Sequence, residues 1–137
     1  MKESVVVDMI LERLSPADLQ IILDEGIDKI YPSGRTALGI AIDYLVEESV
    51  YQLLKNGANP NVYGDEANPP IYDAFISYSP RILILLLMYG ANPDLKRHGL
   101  KKEDFPYSPK QVLDELGMES FFEYIFTLGE NRATSEI

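Results

Sequence analysis

Two stretches of the chain have nearly the same sequence, and their spacing limits the folds that the chain can adopt. The first is Leu53–Asn61, LLKNGANPN, and the second is Leu86–Asp94, LLMYGANPD. Their glycines, Gly57 and Gly90, lie about 33 residues apart, and we call this interval the repeat period. A period of about 33 residues predicts stacked supersecondary units that stabilise one another. Such units present an extended surface rather than a catalytic pocket.

The residues before Gly57 predict a pair of helices. Thr36 is suited to be the N-cap of the first helix. Apolar residues then recur at the spacing of one buried helical face: Leu38, Ala41, Ile42 and Leu45. A second helix is predicted from Glu47 to Asn56, and Gly57 is typical of the glycine that ends a helix. The inward residues of this second helix are Val50, Leu53 and Leu54. One repeat period after Thr36 stands Pro69, where the same pair of helices restarts.

A helix–turn–helix unit followed by Gly-Ala-Asn-Pro at this period resembles the ankyrin repeat. The usual pattern of that family is Gly-x-Thr-Pro-Leu-His-x-Ala, followed by Leu-Leu-x-x-Gly-Ala-Asp. The segment Gly34–Ala41 matches most of the first half, and Asn59 and Asn92 replace the aspartate. Gly39 and Tyr72 stand where the family has its histidine. This substitution weakens the regularity of the repeat without changing the assignment.

The resemblance implies an all-α fold, an ankyrin-repeat solenoid of about four helix–turn–helix repeats with short finger loops. The first repeat would contain helices Ser4–Leu14 and Pro16–Glu25, and Gly26–Asp28 would align with the later Gly-Ala-Asn. End units of a repeat array are less regular than inner ones. We expect one domain, 1–137, with repeats at 3–28, 34–61, 67–94 and 106–128 and a frayed tail at 129–137.

Composition favours a cytoplasmic protein that does not enter a membrane. The chain has no cysteine, so disulfides and cysteine nucleophiles are excluded. The segment Met1–Leu14 is not a signal peptide, because charged residues interrupt its apolar ones. The longest apolar run, Ile82–Met88, is too short to cross a bilayer.

The net charge of −10 restricts the partners that the protein can bind. A chain this acidic repels phosphate backbones, so we expect no nucleic-acid binding. The charge fits two interpretations. One is that it only keeps the protein soluble. The other is that it steers association with a basic protein.

In ankyrin-like proteins, partners dock on the finger tips and on the exposed side of each first helix. At the corresponding positions of this chain, acidic residues make up a larger share than in the whole chain, where 22 of 137 residues are acidic. Tyrosines are interleaved with them. Tyrosine supplies stiff contact area with a polar tip. Both features also fit a structural account, with solvated acids and tyrosines that cover the edge of the core. The predicted contact residues are Ser33, Arg35, Asp43, Tyr44, Asp65, Glu66, Asn68, Ser77, Tyr78, Asp104, Tyr107 and Glu115.

The residues of the chain do not predict catalysis, a cofactor or a metal site. The single histidine, His98, lies in a polar stretch beside Gly99. Carboxylates such as Asp43 and Asp73 would need an enclosed substrate pocket to act as acid and base. The sequence contains no phosphate-binding loop, no nucleophile elbow and no EF-hand spacing.

Three functions remain open. The first is a monomeric binding module that inhibits a basic partner, as in bacterial immunity proteins of the ankyrin type that neutralise toxins such as nucleases. The acids would then imitate phosphate charge. The second is an adaptor or host-directed regulator that recruits a protein without inhibiting it. The third is a self-associating module that uses the aromatic stretch 121–126. The basic finger 95–109 fits a separate contact, a counterpart of the acidic face or a solvated loop.

Overall fold

The structure is a computed structural model of the chain, and it describes residues 1–77 and 79–95. Within these residues the fold is helical, without a strand. Its helices are α1 (Glu3–Leu11), α2 (Pro16–Glu25), α3 (Ala37–Asp43), α4 (Glu47–Lys55), α5 (Pro70–Ile76) and α6 (Pro80–Met88). The all-α prediction is confirmed for this part of the chain. The predicted unit at 106–128, the finger after Leu95 and the tail at 129–137 lie outside the described residues.

Hydroxyl side chains cap three of the helices. The Oγ1 of Thr36 accepts a hydrogen bond of 3.2 Å from the main-chain N–H of Gly39, which confirms the predicted N-cap of α3. Ser15 caps α2 and Ser79 caps α6 in the same way, and a proline follows each serine. Proline suits the first helical position because the N–H that it lacks would have no partner there.

The ends of the helices follow from backbone conformation. Gly57 and Gly90 follow α4 and α6 with φ angles of 98° and 91°, as predicted for glycines that end helices. The first helix was predicted to reach Leu14, but α1 ends at Leu11. Arg13 and Leu14 have φ angles of 66° and 51°, which take the chain out of the helix and into the turn before α2.

The helices form pairs that repeat in register. The bounds of α3 and α5 differ by one repeat period at both ends, and so do the bounds of α4 and α6. Helix α3 packs against α4 within its own pair and against α1 and α5 of the neighbouring pairs. Helix α4 packs against α6. The described helices therefore stack pair upon pair, with the first helix of the second pair at the centre.

The core follows from this central position of α3. Residues Ala37–Ile42 are all buried, as expected for a short helix of small and apolar residues with neighbours on three sides. Helix α4 is amphipathic, with Glu47 and Glu48 exposed. Its predicted inward residues are confirmed as buried: Val50, Leu53 and Leu54.

The prediction for Leu45 was wrong. Helical spacing placed it on the buried face of α3, but its side chain is 49% exposed. Helix α3 ends at Asp43, two residues earlier, and Leu45 lies in the left-handed region with φ of 56°. The helical spacing therefore no longer applies at Leu45, because the residue belongs to the turn into α4.

Asparagine and aspartate side chains join the loops after the helix pairs. The Oδ1 of Asp28 accepts a hydrogen bond of 2.8 Å from the N–H of Asn59. The Oδ1 of Asn61 accepts one of 2.8 Å from the N–H of Asn92. Asp28 is therefore equivalent to Asn61, not to Asn59 as the sequence alignment had it. Compared with the segment from Gly57 to Asn61, the segment from Gly26 to Asp28 is two residues shorter, so the first loop is shortened at this point.

Candidate functional site

The structure describes most of the predicted contact residues. Asp65 and Glu66 lie in the loop before α5, which we call the acidic turn. A second group surrounds α3 and the two ends of α5: Ser33, Arg35, Asp43, Tyr44, Asn68 and Ser77. The rest lie outside the described residues: Tyr78, Asp104, Tyr107 and Glu115.

The acidic turn is ordered by its main chain. The N–H of Ala67 donates to the carbonyl oxygen of Gly64 at 3.1 Å, which closes a four-residue turn. Asp65 and Glu66 occupy its two central positions, and both are exposed. Among the described residues neither carboxylate makes a hydrogen bond or an ion pair. The turn therefore presents two adjacent negative charges without neutralising them.

The acidic turn is stacked on the equivalent turn of the preceding unit, residues 31–34. The N–H of Gly64 donates to the carbonyl oxygen of Gly34 at 2.8 Å. A Cβ atom at Gly64 would lie 2.9 Å from that oxygen and 3.1 Å from Cγ2 of Ile30. Only glycine fits this close approach. The contact fixes the position of the acidic turn relative to α3.

A mixed cluster lies beside α3 and α5, and we call it the Arg35 cluster. The Nη2 of Arg35 lies 3.5 Å from Oδ1 of Asp43, and both side chains are partly exposed. From the next unit, Nδ2 of Asn68 donates to Oδ1 of Asp73 at 3.4 Å. The cluster thus combines one cation, one amide and two carboxylates from consecutive helical pairs. The predicted contact surface is therefore not uniformly acidic.

Asp73 is the buried member of the Arg35 cluster, with 8% of its surface exposed. Burial raises the pKa of its carboxyl above the ordinary value of 3.8, because the charged form loses its hydration. The hydrogen bond from Asn68 and the positive charge of Arg35 act in the opposite direction on this pKa, and the charge of Asp43 raises it. Asn68 and, to a smaller extent, Arg35 therefore both favour the ionised form of Asp73.

Arg35 runs along the surface of α3. Its Nε is buried without a hydrogen-bond partner within the described part of the chain. The helix allows this path because residue 39 is glycine, whose added Cβ would meet Cβ of Arg35 at 3.3 Å. Only the end of the guanidinium reaches Asp43. Arg35 is thus a partly buried cation that lies in the predicted contact surface.

The tyrosines near this surface have different roles. Tyr31 and Tyr63 are 3% and 8% exposed, and burial raises the pKa of both phenols. These two side chains belong to the core edge rather than to a contact surface. Tyr44, at the end of α3, is 50% exposed. Of these three tyrosines it alone offers a large area to a partner.

The described residues hold no group of three or more metal-binding side chains. None of the described helices is long and apolar enough to span a bilayer. The burial of Asp73 was not predicted from the sequence, in which this residue is one of several carboxylates. A signal existed, since one repeat period earlier the chain has Ile40, a core residue that is 2% exposed. An acid at a core position of a repeat indicates a local polar cluster.

The described surface thus offers an exposed pair of acids on a fixed turn and a cluster in which Asn68 donates to the buried carboxylate of Asp73 while Arg35 pairs with Asp43. Comparison of the chain with models of known protein families gives no match, and a search of curated proteins finds no matching protein.

Proposed function

We propose that this protein is a non-enzymatic binding module that attaches to a basic partner protein and inhibits it. The contact surface would extend from the acidic turn over the exposed ends of α3 and α5. Asp65 and Glu66 would supply the charge, and Tyr44 would supply contact area. A partner that itself holds nucleic acid, such as a nuclease toxin, would present the matching positive charge.

The observation that carries the proposal is the acidic turn. Two adjacent carboxylates that have no partner among the described residues repel each other, and the described part of the protein gains no stability from such a pair. The main chain nevertheless holds them in place through the Gly64–Gly34 hydrogen bond of 2.8 Å. Because the main chain of the turn is already ordered, binding costs little backbone freedom, and the two charges accelerate encounter with a positive surface. Asp43, exposed on α3, is paired with Arg35 at 3.5 Å, so the negative charge of the proposed surface comes mainly from the acidic turn.

The fold that we propose for this role is an ankyrin-repeat solenoid in the cytoplasm. The offset of one repeat period between α3–α4 and α5–α6 supports this assignment, as do the glycines after α4 and α6. In such a fold the loops before each first helix line up along one edge. The stacked turns at 31–34 and 64–67 follow this arrangement, so a single partner would contact several units at once.

The test is a double charge reversal, Asp65→Lys with Glu66→Lys. Because both side chains are exposed, the variant should fold with the stability of the wild type. In capture from native lysate, a basic protein should be retained by the wild type at low salt and be lost at high salt or with the double variant. The control is the reversal Asp18→Lys with Asp24→Lys on α2, which changes the net charge by the same amount. This control variant should still retain the basic protein at low salt.

Two outcomes contradict the proposal. Capture that is insensitive to salt and to the reversal would show that the acids do not bind. Unfolding of the double variant would show that they are structural. An activity assay of the captured protein then separates inhibition from recruitment, since an adaptor would leave that activity unchanged. Sedimentation of the protein alone tests self-association.

A further inference from the structure

The end of α4 carries an asparagine followed by a glycine, Asn56 and Gly57. In such a pair the main-chain nitrogen of the glycine can bond to the side-chain Cγ of the asparagine and close a cyclic imide. Glycine favours this step because it has no side chain to crowd the nitrogen and its backbone rotates freely. Water opens the imide to aspartate or isoaspartate. The pair therefore meets the chemical requirements for a modification that needs only water.

The other described asparagines each lack a requirement for this reaction. Three of them precede a proline, whose nitrogen carries no N–H and cannot close the imide: Asn59, Asn68 and Asn92. Asn61 precedes Val62, whose branched side chain crowds the attacking nitrogen. The amide of Asn61 is also held at both atoms, since its Oδ1 accepts from the N–H of Asn92 and its Nδ2 donates to the carbonyl oxygen of Gly90. Among the described asparagines, the reaction is therefore favoured at Asn56.

The surroundings of Asn56 and Gly57 leave room for the reaction. Both residues are exposed. Apart from its chain neighbours, no described residue has an atom within 4 Å of a Cβ placed on Gly57. One repeat period later the position of Asn56 is taken by Tyr89, so the same chemistry is impossible at the end of α6. The reaction thus distinguishes two helices that are otherwise equivalent.

Hydrogen bonds at the end of α4 hold the pair in an unreactive conformation. The Nδ2 of Asn56 donates to the carbonyl oxygen of Gln52 at 2.7 Å, and the N–H of Gly57 donates to that of Leu54 at 3.1 Å. With ψ of 15° at Asn56, the nitrogen of Gly57 points away from the asparagine side chain. The last turn must therefore open before the ring closes. Helix ends open at low free energy, so the fold slows the reaction without preventing it.

The product would disturb the junction between the first two loops. A carboxylate at position 56 places negative charge at the C-terminal end of α4, where the helix dipole is already negative. It also cannot donate to the carbonyl oxygen of Gln52. Isoaspartate adds a carbon atom to the main chain directly before Gly57. Shortly after this point the N–H of Asn59 donates to Oδ1 of Asp28 at 2.8 Å, so a change in the path of the main chain weakens this bond.

We propose that Asn56 is a site of spontaneous deamidation, and that its modification loosens the junction between Asp28 and Asn59. The main-chain nitrogen of Gly57 bonds to Cγ of Asn56, the Cγ–Nδ2 bond breaks, and the amino group leaves as ammonia with the proton of the Gly57 amide. Water that attacks Cγ then gives aspartate, and water that attacks the main-chain carbonyl carbon gives isoaspartate. One water molecule is consumed for each ammonia released.

The test is incubation at mildly alkaline pH, with and without guanidinium chloride, followed by peptide mapping with mass spectrometry. Among the described asparagines Asn56 should be modified first, and it should yield both aspartate and isoaspartate. The folded protein should react about tenfold more slowly than the unfolded chain, the factor expected when opening breaks one or two hydrogen bonds. Asn56→Gln is the control, and it should stay unmodified at this position because glutamine would have to close a larger ring.

Three results would overturn the assignment of the site. The first is earlier modification at another described asparagine. The second is an equal rate in the folded and unfolded protein. The third is a folded protein that stays unmodified at Asn56 after the unfolded chain has reacted completely.

Hydrogen exchange tests the consequence for the junction. In the isolated modified protein the amide of Asn59 should exchange faster than in the unmodified protein. The amide of Asn92 is the matched control, because it donates to Asn61 at the same distance of 2.8 Å in the next junction, and its exchange should not change. Unchanged exchange at Asn59, or equal acceleration of both amides, would overturn the proposed effect on the junction.

Discussion

The hydroxyl of Ser49 donates a hydrogen bond of 2.7 Å to the main-chain carbonyl oxygen of Ile10. Both residues are 0% exposed. Ser49 lies in α4 and Ile10 in the last turn of α1, where the final carbonyl groups lack partners within their own helix. The bond therefore joins the first helical pair to the second through the core, and it gives this carbonyl a second partner beside the N–H of Arg13, which donates to it at 3.0 Å.

We expect Ser49→Ala to lower the free energy of unfolding by about 1–2 kcal/mol, because it leaves this buried carbonyl with one partner fewer. Urea titration measures the change. Ser4→Ala is the matched control, since Ser4 is exposed on α1 and alanine favours helix. Equal stability of the two variants would show that the Ser49 bond contributes nothing.

Gly64→Ala should destabilise the stack of turns. The new Cβ would lie 2.9 Å from the carbonyl oxygen of Gly34, so the two turns must separate. We expect a loss of about 1–3 kcal/mol, as for other overpacked sites. Hydrogen exchange of the amide at position 64 should accelerate, because its bond to Gly34 lengthens.

Gly57→Ala provides the comparison for this variant. Apart from its chain neighbours, no described residue has an atom within 4 Å of a Cβ at Gly57, but the residue has φ of 98°. Alanine there should cost about 1 kcal/mol from backbone strain alone. It should leave the amide of Gly64 protected. Accelerated exchange at Gly64 in both variants would mean that the turns separate through general destabilisation rather than through a local clash.

Asp73 should make stability depend on pH. Its folded-state pKa is raised above 3.8, mainly by burial, so the folded protein binds the proton more tightly than the unfolded chain does. The resulting stabilisation is complete below 3.8 and is lost as pH rises through the folded pKa. Asp73→Asn lacks this titration. Its stability relative to the wild type should therefore be highest near pH 7 and should decline as the pH falls towards 3.8.

Urea unfolding of both proteins between pH 7 and pH 4 checks this prediction. Asp65→Asn, on the exposed turn, corrects for the loss of one negative charge. A carboxyl resonance of Asp73 that titrates below 3.8 would contradict the assignment, because it would mean that Arg35 and Asn68 outweigh the burial.

Arg35→Met should raise the pKa of Asp73 further. The positive charge of Arg35 lowers that pKa, and methionine retains most of the aliphatic packing along α3 without the charge. Titration of the Asp73 carboxyl by NMR measures the shift. Arg81→Met is the control, since the Arg81 side chain is 81% exposed and pairs with Glu47. An unchanged titration in Arg35→Met would show that the charge of Arg35 does not influence the pKa of the buried Asp73 carboxyl.

The sequence predicted the helices well where local chemistry decides their ends. A serine followed by proline began α2, Thr36 capped α3, and glycines followed α4 and α6. These signals act within a few residues. Leu45 was misplaced because helical spacing says nothing about where a helix stops. The turn after α3 depends on a left-handed residue, and leucine gives no sign of that conformation.

The site was less accessible to sequence reasoning. The exposure of Asp65 and Glu66 follows from their place in a loop, and the structure has them exposed. The approach of Arg35 to Asp43 and the burial of Asp73 depend on how two helical pairs pack, which spacing alone does not define. The loop bonds were also missed, although Asp28, Asn61 and Asp94 follow one another at the repeat period. Comparing residues at this interval would have marked them as equivalent.

The loop bonds have a consequence for how a protein of this kind changes in length. In the junction from Asp28 to Asn59 and in the junction from Asn61 to Asn92, a main-chain N–H of asparagine donates to a side-chain Oδ1 of the preceding unit. A duplicated block, one repeat period long and inserted at such a junction, would meet matching partners at both of its ends. Duplication and deletion of whole blocks can therefore lengthen or shorten the exposed edge while each block keeps its own core.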